Sequence, residues 1–156
     1  MLIGKIAKKE WNDNEFLLDI ISDDKVKKRI SSNLKWHIFN AVKAKFYFYF
    51  LSIITISAPI LSGILMNYID TNIIIKILSS SIVGISSISA ALLNLLDVRR
   101  KWGLYRNQAE EIKRILSEHL TDESVNNEII LKKIEESISF TDKSWKENFE
   151  KIEEKN

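Results

Sequence analysis

Residues 46–69 read FYFYFLSIITISAPILSGILMNYI, twenty-four positions without a charged side chain. A helix needs about 20 mostly apolar residues to cross about 30 Å of hydrocarbon, so this stretch predicts a first membrane span. Pro59 lies in its middle. There it predicts a kinked transmembrane helix, tolerated where a neighbour satisfies the carbonyl that proline leaves without a partner. Tyr47, Tyr49 and Tyr68 stand near the ends, where aromatic rings favour the interface.

A second stretch follows almost at once: residues 74–96, IIKILSSSIVGISSISAALLNLL. Its one cation, Lys76, is near enough to the outer end to reach the headgroups. The link between the stretches is Asn67 to Asn72. So short a link forces neighbouring antiparallel helices. The expected fold is therefore all-α: an integral membrane hairpin of two transmembrane helices with cytoplasmic helices, assembled as an oligomer. The expected divisions are cytoplasmic helices over 1–45, spans at 46–69 and 74–98, an external loop at 70–73, and cytoplasmic helices over 99–156.

Charge sets the orientation. Residues 1–24 carry Lys5, Lys8 and Lys9 against six acids; residues 25–109 carry twelve basic residues against Asp70 and Asp97; residues 110–156 carry eight against thirteen acids. The basic excess adjoins the spans, with Lys43 and Lys45 before the first and Arg99, Arg100 and Lys101 after the second. Cations gather on the cytoplasmic side of membrane proteins, which predicts both termini in the cytoplasm. The same placement disfavours nucleic acid as a partner and favours the lipid bilayer. The competing reading, a water-soluble protein with a buried apolar hairpin, fits such flanks poorly.

The flanking segments read as helices. Residues 25–45 carry Val26, Ile30, Leu34, Ile38 and Ala41/Val42 at helical spacing. Either packing on other helices or binding of anionic headgroups, or both, suits that segment. A short helix is expected at Glu15–Ile21, anchored by Trp11, Phe16 and Leu17. The second span is expected to run on unbroken into residues 99–120, with Leu104, Ala109, Ile112, Ile115 and Leu116 as a stripe and Gly103 as the only weak point. Thr121 or Asp122 is the expected cap of a helix bearing Ile130, Ile134 and Ile138. Thr141 or Asp142 is the expected cap of a last helix bearing Trp145, Phe149 and Ile152.

The second span holds the candidate functional residues. At 100° per residue, Ser80, Gly84, Ser87, Ala91 and Asn94 share one line, and Ser79, Val83, Ser86 and Ala90 the next. Ile85, Ile88, Leu92, Leu95 and Leu96 lie opposite. Two roles stay open for the small and polar line. It allows close helix packing with hydroxyls bonding across the contact, or it lines an aqueous path between several copies, as polar rings at Ser80, Ser87 and Asn94. Two helices alone cannot enclose a channel, so a conducting state demands a homo-oligomer.

Chemistry of other kinds is not expected. The chain has no Cys and two histidines, His37 and His119, in separate segments and without a second His one turn away. No catalytic residues, no metal and no cofactor are predicted, and no phosphate loop or nucleophile elbow is present.

The order of elements resembles the SLATT proteins, bacterial two-helix membrane effectors. The resemblance spans about residues 25–120 and includes, after the second span, an aromatic residue followed by Ala109-Glu110-Glu111-Ile112-Lys113. It implies a pore-forming effector of bacterial conflict or antiviral defence, in the bacterial inner membrane, with a cytoplasmic sensor or nucleotide-signalling protein as partner. The expected function is thus an oligomeric membrane channel gated by a cytoplasmic signal. The alternative is a non-conducting anchor or scaffold. A transporter is disfavoured, because neither span holds a deep ionisable residue.

Overall fold

The structure, a computed structural model, describes residues 2–66, 73–120 and 127–153. The side chains of α5 are described through Phe140 and at Lys143. The connection at 67–72 and the Thr121/Asp122 cap lie outside these residues, as do the side chains of Thr141, Asp142, Trp145, Phe149 and Ile152. Five α-helices make up the described chain: α1 (Leu2–Asn12), α2 (Asp24–Met66), α3 (Ile73–Leu95), α4 (Val98–His119) and α5 (Asn127–Glu153), with a 3-10 turn at Glu15–Leu18 after α1. No strand occurs among the described residues. The chain divides into two compact units, residues 1–42 with 103–156, and residues 43–102.

The first unit is a helical bundle with a conventional apolar core. The stripe of α2 is buried at Ile30, Leu34, Ile38 and Ala41. It packs with Ala109, Ile112, Ile115 and Leu116 of α4 and with Ile130 and Ile134 of α5. Each fully buried Ile or Leu contributes about 1.5–3 kcal/mol relative to exposure. Packing within the protein is thus what occupies the α2 stripe. The Asp23 carboxylate starts α2, accepting from the backbone N–H groups of Lys25 (2.8 Å) and Val26 (3.1 Å).

Three local expectations need correction. Residues 2–12 form a full helix that the sequence pattern did not announce, closing the core with Ala7 and Trp11. The following helical turn is shorter than expected and its anchors are Leu17 and Leu18, while Phe16 points outward. A helix also runs without interruption through Thr141 and Asp142, so no last helix begins there. Both residues have neighbours that keep the 3.6-residue pattern, and neither carries the φ restriction of proline that would force a stop.

The second unit is an antiparallel hairpin of α2 from Lys43 and α3. Contrary to expectation, α3 does not continue into α4. Leu96 and Asp97 form a turn, and Asp97 has φ 43°, in the left-handed region. Aspartate tolerates that region better than most residues. The Asp97 carbonyl then accepts from the Lys101 N–H at 3.0 Å, and its carboxylate lies 3.8 Å from the Arg100 guanidinium. Gly103, the expected weak point, is helical.

Candidate functional site

The hairpin seam is built on a seven-residue repeat. On α2, Ala44, Phe48, Leu51, Thr55, Ala58, Ser62 and Leu65 are partly or wholly buried. On α3, Ile75, Ser79, Ile82, Ser86, Ser89 and Leu93 are so. Steps of three and four keep one face of each helix toward the other when the pair winds left-handedly. Small residues dominate the middle of both faces, which permits close backbone approach.

Hydroxyl groups bridge that seam at two levels. The Ser62 and Ser79 hydroxyls lie 2.6 Å apart, each also 3.3 Å from the other residue's carbonyl oxygen. About two turns away, the Ser86 hydroxyl donates to the Thr55 carbonyl at 3.0 Å. This acceptor has a specific need. In an α-helix the carbonyl of residue i accepts from the N–H of residue i+4; for Thr55 that residue is Pro59, which has no N–H. Ser86 therefore supplies, from the neighbouring helix, the donor that proline withholds. Helix α2 passes through Pro59 without interruption.

The five residues singled out on α3 do not take part in this seam. Ser80, Gly84, Ser87, Ala91 and Asn94 are all exposed. Their line is centred about 140° around the helix from the seam. A Cβ added at Gly84 would meet nothing within 4 Å. Ser80 and Ser87 donate to carbonyls of their own helix, Lys76 at 3.0 Å and Val83 at 3.1 Å. The adjacent line, by contrast, supplies Ser79 and Ser86 to the contact, with Ala90 half-buried and Val83 exposed. Sequence reading passed over Ser62 and Ser89. The seven-residue spacing, searched for in both stretches together, is the signal that finds them.

One end of the hairpin is basic and aromatic. Lys45 places its ammonium 5.8 Å from the Trp102 ring centre, over the face. Trp102 stacks on Phe48 at 6.1 Å and leans on Tyr49 at 6.1 Å. Lys43, Arg99, Arg100 and Lys101 stand within a few residues of this cluster on the same two chain segments. Trp102 was not singled out from the sequence, although a tryptophan between a basic run and an apolar helix is what an interface anchor looks like.

In the first unit, the Ala-Glu-Glu-Ile-Lys run has a structural role. Ala109 and Ile112 are fully buried. Glu110 pairs with Arg106 (2.6 Å) and Lys113 (3.2 Å). Arg106 and Lys113 both reach Glu10 of α1, the latter at 3.1 Å. The run thus ties α4 to α1. Next to it, Glu111 and Arg114 form a two-pronged pair at 2.6 and 2.9 Å. That hydrogen bonding, aided by the arginine's charge, holds the Glu111 carboxyl below the usual carboxylate range. His37 is buried between Trp36 and Tyr105, with ring centres 4.8 and 6.3 Å away. The His119 Nδ1 lies 2.6 Å from the Ile115 carbonyl. No cluster of three potential metal ligands occurs among the described residues.

What fold and seam define is an all-helical protein with two helices, within α2 and α3, long and apolar enough to cross a membrane. Only 11% and 17% of their most apolar windows are buried in the chain, whereas the core helix of a water-soluble domain is mostly buried. A family described as protein of unknown function, DUF4231, matches residues 32–122, and the chain belongs to that family. No curated protein and no solved structure matches the chain.

Proposed function

We propose that the chain is a membrane hairpin whose copies assemble through α3 into a gated channel. The observation that carries this reading is the direction of the polar line. Ser80, Gly84, Ser87, Ala91 and Asn94 are exposed while the hairpin spends a different face on its own closure. A line of small and polar side chains facing lipid gains nothing from lipid. Between several copies it gives close packing and a polar lining together. The basic and aromatic end, Lys43 and Lys45 with Arg99 to Lys101, supports an orientation with that end, and with it both termini, on the cytoplasmic side. The resemblance to the SLATT proteins supports a pore-forming effector in the bacterial inner membrane. There a cytoplasmic sensor or nucleotide-signalling partner supplies the trigger, and no catalytic step is involved.

The test is electrical. Purified chain reconstituted into planar bilayers should conduct, and Ser87→Leu should change the unitary conductance. Impermeable liposomes under every signal tried would defeat the channel.

One observation favours a second reading, a non-conducting anchor. The Ser80 and Ser87 hydroxyls are already satisfied on their own helix and need no water. An anchor would keep its activity after replacement of residues 46–96 by an unrelated hairpin; a channel would lose it.

A further inference from the structure

The joint between α3 and α4 lies wholly within the second unit, which runs to Trp102. No glycine or proline occurs from Ile85 to Trp102. Leucine and arginine, both strong helix formers, fill six of the nine positions from Leu92 to Arg100. Local preference is thus for continuous helix, yet the chain turns at Leu96 and Asp97. The Asp97 N–H reaches the Asn94 carbonyl at 3.2 Å. In a continuous helix that carbonyl would take Val98, and Asp97 would reach Leu93. The departure centres on one residue: Asp97, at φ 43°, is the only non-glycine residue with positive φ among the described ones.

What favours the turn is modest. Val98, the next residue, is buried. The Asp97–Arg100 pair is long, at 3.8 Å, and both side chains are partly exposed, so solvent screens it. What opposes the turn is the left-handed backbone, which disfavours an ordinary L-residue by about tenfold and aspartate by less. Modest factors of opposite sign keep the two arrangements within reach of each other.

We propose that this joint is a two-state hinge. One state is the turn, with Asp97 left-handed; the other is a continuous α3–α4 helix, with Asp97 right-handed. Asn94, the last residue of the polar line, lends its carbonyl to both, to Asp97 in the first and to Val98 in the second. A change at Asp97 is therefore delivered directly to the backbone of the proposed lining. Its consequence for conduction rests on the channel reading above: the turn is the resting state, and the cytoplasmic signal selects the continuous helix.

The chain has no cysteine, so two spin labels can be placed at will. Ile85→Cys on α3 and Lys101→Cys on α4 put both labels on exposed positions of the second unit. Labelled full chain, diluted with unlabelled chain so that each distance stays within one copy, is measured by pulsed electron resonance in nanodiscs. The expected result is a main distance set by the turn and a minor one of about 24 Å, the rise of a continuous helix between the labels. Asp97→Ile should raise the continuous-helix population about tenfold, because a β-branched residue resists positive φ. Asp97→Gly should lower it severalfold, since glycine enters the left-handed region freely; this arm stands even where the isoleucine variant does not fold. Asp97→Asn should match the parent, because asparagine tolerates the region without the charge. In planar bilayers the open fraction should rise with isoleucine and fall with glycine. One distance in every variant would overturn the hinge. So would Asp97→Asn behaving as Asp97→Ile, since the ion pair rather than φ would then set the joint. Distances that shift in a chain that never conducts would defeat the channel and leave the hinge; conduction with one fixed distance would do the reverse.

Discussion

On the first part of α2, Ile30, Leu34 and Ile38 turn inward and are at most 1% exposed; on the last part, Ile53, Ile56, Ile60 and Ile64 turn outward while Ala58 and Ser62 fill the inside. One helix therefore follows two opposite rules. In the first unit burial of apolar surface holds helices together, as water requires. If the second unit lies in a bilayer, as proposed above, that force is absent between its helices, since a hydrocarbon surround is as apolar as leucine. What remains is close contact of small residues and hydrogen bonds that have no competitor in oil. On the membrane reading proposed above, the place along α2 where the rule inverts is where its solvent changes.

The sharpest way to break this comparison is to remove the same kind of methyl groups from both regions. Leu34→Ala should cost about 2–5 kcal/mol of stability, the usual effect of a cavity in a tight core. Ile56→Ala should stay within about 0.5 kcal/mol, because lipid or detergent fills the space. Denaturant unfolding in detergent, followed by circular dichroism, reads both. Equal costs would mean that Ile56 is buried in water-excluding protein and that the inversion is false.

A smaller effect tests the seam. Ser86→Ala should destabilise the hairpin by about 1 kcal/mol, within the range for interhelical hydrogen bonds in membrane proteins. The same change on a Pro59→Ala background should be close to neutral, because residue 59 then brings its own N–H to the Thr55 carbonyl. Unfolding in bicelles measures the cycle. Additive costs would separate Ser86 from Pro59.

The smallest effect belongs to Glu111. Its carboxyl is held below the ordinary value of 4.5 by Arg114. A depressed carboxylate contributes stability above its unfolded pKa and loses it as pH falls through the folded one. The pair is partly exposed, so solvent screens most of the gain. Acidification below about pH 4.5 should lower the melting temperature of the wild type slightly more than that of Glu111→Gln. Parallel curves would remove the pair from the ledger of the first unit.

The sequence made the coarse plan readable because it is written in runs and stripes. Twenty-residue apolar runs need no partner to be recognised, and Ile30, Leu34, Ile38, Ala109 and Ile112 repeat with the helical period that burial imposes. Three features escaped for physical reasons. The turn at Leu96–Asp97 carries neither glycine nor proline; it depends on one aspartate adopting positive φ, which composition does not announce. Helix α1 is short and lysine-rich, and only Ala7 and Trp11 mark its buried side. On α3, serines surround much of the helix, so one stretch alone does not say which serine faces the partner. Thr55, Ser62 and the gap in donors at Pro59 decide that, and they lie on the other helix. The polar line at Ser80 to Asn94 faces away from the partner helix, and the role proposed for it depends on further copies of the chain.

Serine 86 has a single proton to give. Other serines of α3 hand theirs to the turn below, and if the two helices parted Ser86 has the same refuge in the carbonyl of Ile82. Thr55 has no such refuge: its oxygen would lose the one donor that replaces the missing N–H of Pro59. The hazard of separation therefore falls wholly on α2, and the proline that creates it acts as a latch whose keeper sits on the opposite leaf.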